Sequence, residues 1–459
     1  MSWAARETQT VNLGDQRLNK RMTKLLDSAL SQPTASIPVA CRGWQETLAA
    51  YRFFDNPKVK AENVLAPHQA ATRERMAKHG IVLCVQDTTE LDYSGQSQTQ
   101  GLGPLTYEAQ RGLYLHPTLA VTPDRLCLGV LDALIWARSD DGYGKSEERK
   151  RKAIEEKESV RWIDGYRQVC ELADTLPDTQ CVYMADRESD IYELFVEGDG
   201  QTHRADWLIR ASHDRRMLEE EACLSDAFAQ APVLGEIEFD LPPSHKRQKK
   251  HVTQTLKAAR VELQPPQRYG NSLDPVEVTV LLAQETRPPK GEEPVTWVLL
   301  TNLPVTTAEQ AIEKISWYLC RWQIEIYFRI LKSGCKIEKL QLEHVNRLRP
   351  ALALYMIVAW RVLYLTLMGR ECPDLPCDLV FETSEWQAVY LVAKKTRPPA
   401  SPPTLNTIVR MVAGFGGFLG RKHDGEPGPQ SIWIGLQRTR DFVLTLEAVE
   451  VATAAQTYV

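Results

Sequence analysis

Two short apolar runs constrain the fold more than any other feature of the chain. Ile81-Val82-Leu83-Cys84-Val85-Gln86 and Cys181-Val182-Tyr183-Met184-Ala185 each run straight into an aspartate. Runs of this length, without polar alternation, read as strands buried on both faces. Asp87, followed by Thr88 and Thr89, and Asp186, which opens Asp186-Arg187-Glu188-Ser189-Asp190, are therefore expected at strand ends, held rigidly and facing a crevice. Further strands read near 115–122, 127–136 and Trp207-Leu208-Ile209-Arg210, with a helix from about Ser159 to Leu176 between them. Three strands, then alternating helix and strand, predict an α/β fold with a mixed sheet and helices on both faces.

A third acidic residue lies in the run ISWYLCRWQIEIYFRILK, which reads as one helix. At about 100° per residue, Tyr318, Arg321, Glu325 and Lys332 fall within roughly 60° of one another on one face. Ile324, Ile326, Ile330 and Leu331 point elsewhere and supply the packing surface. A solvated stripe is the plainest reading of such a face. Likewise, each strand-end aspartate taken alone is a turn or helix cap. Together, two strand-end aspartates and a helix-borne glutamate supply hard oxygen ligands that suit a pair of Mg2+ or Mn2+ ions. Such a pair serves in-line phosphoryl displacement.

The chain has 459 residues, so a central domain with smaller flanking ones is the natural expectation, and its 43% apolar content can bury a sizeable core. A net charge of −5 argues at first against a nucleic-acid partner. Local basic clusters matter more: Arg149 to Lys152, His245 to His251, and Lys394, Lys395 and Arg397. The ten cysteines lack paired C-x2-C spacing, which fits reduced thiols rather than structural zinc. The longest apolar stretch, Ala351 to Met368, carries Arg361 and reads as a packed helix, and no membrane partner is expected.

Near the N-terminus, helices are expected from Arg17 to Gln32 and from about Trp44 to Phe54, with Arg17, Lys20, Arg21 and Lys24 making a plausible DNA-reading module. Between Arg210 and the glutamate helix, alternating stretches such as Glu236 to Asp240 and Val276 to Val280 read as antiparallel strands broken by proline pairs. From about residue 345 the chain turns helical, with a proline-rich linker at Pro398 to Pro403.

Tyr318, Arg321, Glu325 and Lys332 match Y-x2-R-x3-E-x6-K in full, and the DTT at Asp87 and DRESD at Asp186 stand in the matching order. In these motifs the chain resembles the DDE transposases with a ribonuclease H-like core, in the bacterial insertion-sequence subgroup that carries the Y-R-E-K signature. The resemblance runs from Asn12-Leu13-Gly14-Asp15 to Gly414-Phe415-Gly416-Gly417-Phe418. It implies a helical end-binding domain over 1–70 and a ribonuclease H-like catalytic domain over 71–345 with a β-rich insertion at about 213–300. A helical dimerisation domain over 346–459 would follow.

It further implies that Asp87, Asp186 and Glu325 are catalytic and hold two Mg2+ ions, with Mn2+ as a substitute. Tyr318, Arg321 and Lys332 would contact DNA near the scissile bond. Trp297, Trp322, Arg210 and Arg329 would be further DNA contacts, Trp297 beside a flipped base. The implied activity is cut-and-paste transposition by a homodimer on paired transposon ends: nick, hairpin, hairpin opening and joining to target DNA. The implied location is the bacterial cytoplasm, with the nucleoid. Two alternatives stay open: a nuclease or integrase of the same fold, and a catalytically idle DNA-binding inhibitor or domesticated descendant.

Overall fold

A computed structural model describes residues 2–107, 109–140, 153–199, 205–218, 222–241, 250–269 and 272–456. The basic cluster at 149–152 and residues 245–249 of the next lie outside them. The chain opens with α1 (Trp3–Glu7), α2 (Gln16–Ser31), α3 (Ile37–Cys41), α4 (Trp44–Phe54) and α5 (Ala61–Met76). Asp15 starts α2 by accepting from the Arg17 backbone N–H, and the apolar side of α2 buries Met22, Leu25, Leu26, Ala29 and Leu30.

The sheet strands follow: β1 (Ile81–Gln86), β2 (Thr89–Asp92), β3 (Gly103–Pro104), β4 (Arg111–Val121) and β5 (Cys127–Trp136). After α6 (Val160–Asp174) come β6 (Gln180–Ala185), α7 (Tyr192–Asp199) and β7 (Asp206–Arg210). β4 pairs antiparallel with both β5 and β1, whereas β1, β6 and β7 run parallel. The order β5-β4-β1-β6-β7 is a ribonuclease H-like mixed sheet. Val82, Leu83, Cys84 and Val85 are all fully buried, because the strand is covered on both faces, as its unbroken apolar run required.

The segment after β7 does not leave the sheet. Beyond α8 (Leu224–Gln230), strands β8 (Val233–Leu241), β9 (Lys250–Leu263), β10 (Val276–Glu285) and β11 (Thr296–Thr301) continue it, with β11 antiparallel to β7. Among the described residues the result is one 11-stranded sheet. The β-rich insertion is thus a lateral extension of the core.

α9 (Ala308–Leu319) starts on a capping box between Thr307 and Gln310, and α10 (Trp322–Arg329) follows. The helix expected to run unbroken through Lys332 is interrupted twice. At Cys320–Arg321 the bonds shorten to i→i−3, from Arg321 N–H to Tyr318 and Ile324 N–H to Arg321, while the Cys320 thiol reaches the Pro123 carbonyl. Residues Ile330–Gly334 form a π-helical turn closed by the Cys335 N–H to the Ile330 carbonyl. The four polar residues therefore do not share one straight stripe.

α11 (Val345–Glu371) is long and apolar enough to cross a membrane, but 94% of its apolar window is buried within the protein. Its Arg361 packs over the Trp3 ring and lies 3.6 Å from Glu385. α12 (Thr383–Lys394), α13 (Leu405–Phe415) and α14 (Pro429–Gln456) complete the chain.

A buried polar cluster joins α1, α5, β5 and α11. His68 lies 2.5 Å from Glu7 through Nδ1 and accepts the Val130 N–H at Nε2, which fixes a neutral tautomer. Arg75 donates two bonds to Glu7 and one to the Leu128 carbonyl, and lies over Trp360.

Candidate active site

The β1–β6 register pairs Val85 with Met184, so Asp87 and Asp186, each two residues further on, come out side by side at the carboxyl end of the sheet. Both also accept a local backbone N–H, and Asp186 caps the short turn Arg187–Ser189. Asp87 Oδ1 accepts the Thr88 N–H at 2.7 Å, and Asp186 Oδ1 accepts the Glu188 N–H at 2.9 Å. Their crowding shows in Asp87: burial first, then the Asp186 charge, pushes its carboxyl up to about 7, against the pull of Arg321.

The tightened turn at Cys320 delivers Arg321 to these acids. One guanidinium nitrogen donates to Asp87 Oδ2 at 2.8 Å and another to Glu325. Burial alone would lower the Arg321 pKa, but Tyr318, Glu325 and Asp87 hold it above its ordinary value. Glu325 is more than half exposed beside this bridge.

Among the described residues no three His, Cys, Asp or Glu side chains form a ready ligand group. Arg321, bonded to both Asp87 and Glu325, holds part of the space such a group would close. The donor set nevertheless fits hard divalent cations. It is oxygen-only, it opens to solvent at Glu325, and it sets two aspartates side by side at the ends of adjacent strands. Asp87, Asp186 and Glu325 are the residues that would hold such ions.

Next to the acids, Arg187, Arg210, Arg321, Tyr318, Trp297 and Trp322 line a cleft of about 790 Å³. Tyr318 is buried, and its hydroxyl makes no well-formed hydrogen bond among the described residues, with Arg321 and Arg210 as the charges around it. Trp297, on β11, is 5% exposed, stacks on Phe239 at 5.2 Å and meets Tyr318 and Trp322 edge-on. It is both a packed strand aromatic and a wall of the cleft. The structure thus brings together Asp87, Asp186, Glu325, Arg321, Tyr318, Arg210, Trp297 and Trp322.

Arg329, exposed at the end of α10, and Lys332, half-buried in the π-turn, form no ion pair with these acids among the described residues. Lys332→Ala is expected to slow end cleavage by on the order of tenfold to a hundredfold, the worth of one hydrogen bond to a charged phosphate. Single-turnover cleavage at unchanged thermal stability checks this, and an unaltered rate would leave Lys332 a surface residue.

Two residues of the region were not legible in the sequence. Arg187, inside the acidic DRESD string, reads as a flanking charge, yet it faces the cleft. Arg161, on α6, reaches Thr88 and Glu188, the neighbours of the two aspartates, and no local motif marks it.

Three family models match the chain: transposase DNA-binding over residues 1–59, transposase DDE domain over 163–361, and transposase Tn5 dimerisation domain over 357–457. The chain belongs to the DDE transposases of the Tn5 kind. Asp186 and Glu325 fall inside the DDE match, whereas Asp87 precedes it. A cryo-EM structure of a piggyBac transposase synaptic complex with hairpin DNA is similar over 70% of this chain and 59% of its own, at 9% identity and a TM-score of 0.30. That likeness is slight, and the fold rests on the sheet itself and on the family models.

Proposed function

We propose that this transposase works by cut-and-paste, cleaving the ends of its element and joining their 3′ ends to target DNA at one site built on Asp87, Asp186 and Glu325. The observation that carries the reading is the in-register pair of strand-end aspartates, linked to Glu325 through Arg321. Bound divalent ions, Mg2+ with Mn2+ as substitute, supply activation of the attacking oxygen and neutralisation of the leaving one. The three carboxylates hold and space them.

Arg321, drawn from its acids, is placed to meet the phosphate beside the scissile bond, while Arg187 and Arg210 grip the strand entering the cleft. Tyr318 offers its hydroxyl. Trp297 and Trp322 present aromatic faces to a base turned out of the helix, and stacking offsets about 1 to 3 kcal/mol of the cost of extrusion. Four phosphoryl transfers follow in order: a nick, attack of the freed 3′-hydroxyl on the opposite strand to give a hairpin, hairpin opening by water, and joining to target. Residues 1–70 read the end repeat, 71–345 catalyse, and 346–459 pair two copies on paired ends, within the bacterial cytoplasm.

The test is incubation of the protein with Mg2+ and supercoiled DNA carrying its element's own ends, resolved on a denaturing gel. Excised fragments with hairpin ends that depend on Glu325 are expected. Fragments cut without hairpins would point to a nuclease route, and shifted but uncut DNA to an idle binder.

A further inference from the structure

We propose that Arg161 is a positioning residue that sets the separation of Asp87 and Asp186, and with it the affinity of the acidic set for divalent ions. The inference rests on the reading of those acids given above and deepens it. The β1–β6 ladder pairs residues only as far as Val85 and Met184, so both aspartates stand beyond its last pair. Like charges at the ends of adjacent strands push apart, and the two loops must be held against the push.

Arg161 spans them. Its Nε donates to Thr88 Oγ1 at 3.3 Å, one Nη donates to Glu188 Oε2 at 2.8 Å, and the other to the Glu158 carbonyl at 2.8 Å. Thr88 and Glu188 are the residues whose backbone N–H groups orient Asp87 and Asp186. The arginine therefore grips the side chain of each residue whose main chain aims an acid. The Thr88 hydroxyl, accepting from Arg161, is free to donate to His116 Nδ1 at 2.8 Å.

The guanidinium itself has little room to move. Its side chain is 12% exposed and lies 5.3 Å from the Trp162 ring and 5.6 Å from Trp136. One turn further along α6, Gly165 lies so close to β1 that a Cβ there would fall 2.1 Å from the Gln86 amide nitrogen. This close approach anchors the helix that carries Arg161. Among the described residues Arg161 makes no ion pair with Asp87, Asp186 or Glu325, so its action is through Thr88 and Glu188.

The experiment measures Mn2+ binding to the DNA-free full-length protein by electron paramagnetic resonance, together with the Mg2+ dependence of end cleavage. Arg161→Met is expected to weaken Mn2+ binding by about tenfold to a hundredfold, the usual effect of losing an outer-shell partner. The half-saturating Mg2+ concentration should shift alike, with end binding in the absence of divalent ions unchanged. Arg161→Lys keeps the charge but not the planar fork, and should show the same shift. Lysine restoring wild-type affinity would overturn the clamp in favour of simple charge. Should Arg161→Met fail to fold, Thr88→Val opens the other jaw at no change of charge, by removing the hydroxyl that accepts from Arg161, and is expected to move Mn2+ affinity in the same direction by less. Unchanged Mn2+ affinity in folded variants overturns the inference. Wild-type protein that neither binds Mn2+ nor cleaves would instead remove the reading of the acids beneath it, and this inference with it.

Discussion

Replacement of Asp87, Asp186 or Glu325 by alanine is expected to abolish end cleavage while leaving end binding near normal. The loss should exceed the roughly 100-fold seen when only a supporting partner of a metal ligand is removed. Binding should survive because the basic and aromatic residues of the cleft, and the N-terminal helices, lie outside the acidic set. Stability provides a second readout. Asp87 carries an unfavourable charge interaction with Asp186, so Asp186→Asn, which can still cap the turn as Asp186 does, should leave the protein as stable as before or more so. An inactive variant with an undiminished melting temperature is the signature of a lost ligand rather than a damaged fold. Near-normal nicking by any of the three alanine variants would sink the assignment.

The second large effect concerns stability. Glu7→Gln should destabilise the protein by about 3–5 kcal/mol, because it leaves Arg75 facing a neutral amide in a largely buried cluster. Burial alone would raise the Glu7 pKa, but the hydrogen bond from His68 and the charge and hydrogen bonds of Arg75 bring it down to about 2. Stability from this carboxylate is present above its unfolded value of 4.5 and is lost as the pH falls towards 2.

His68 has its pKa lowered by burial first, so the unfolded chain takes up a proton below 6.5 that the folded protein refuses. The wild type should therefore lose stability relative to His68→Gln as the pH drops from 7 to 5, by up to about 2 kcal/mol. Urea unfolding of both proteins at the two pH values measures this, and parallel curves would show that the imidazole does not titrate in the cluster.

Much of this architecture was legible because it is written in local periodicity. The strands over 81–86 and 127–136 fall where their apolar runs place them, and the helix over 44–54 ends before Asn56-Pro57. The acids at the ends of β1 and β6 were found for the same reason. The break at Cys320–Arg321 was not. Neither glycine nor proline announces it, and the turn is held by a thiol contact with the Pro123 carbonyl, almost two hundred residues away in sequence. A straight helix is the correct reading of the letters alone, and tertiary contact overrides it. Arg161 and the Glu7–His68–Arg75 cluster escaped for a related reason. Each is an isolated polar residue on an otherwise ordinary helix, and its meaning lies in partners brought from other segments.

On the proposed function, the continuation of the sheet through β11 would act as a ruler. Trp297 stands on the strand hydrogen-bonded to β7, which is in turn paired with β6, the strand that ends at Asp186, so no hinge lies along this path. A base lodged against Trp297 would thus fix how many nucleotides separate it from the carboxylates. Lengthening β11 by two residues would keep every side chain on its face while sliding the tryptophan by about 7 Å, a distance of about two nucleotide steps along one strand of duplex. The cleavage position would then be a length measured in β-strand residues, set by the scaffold and altered in whole steps.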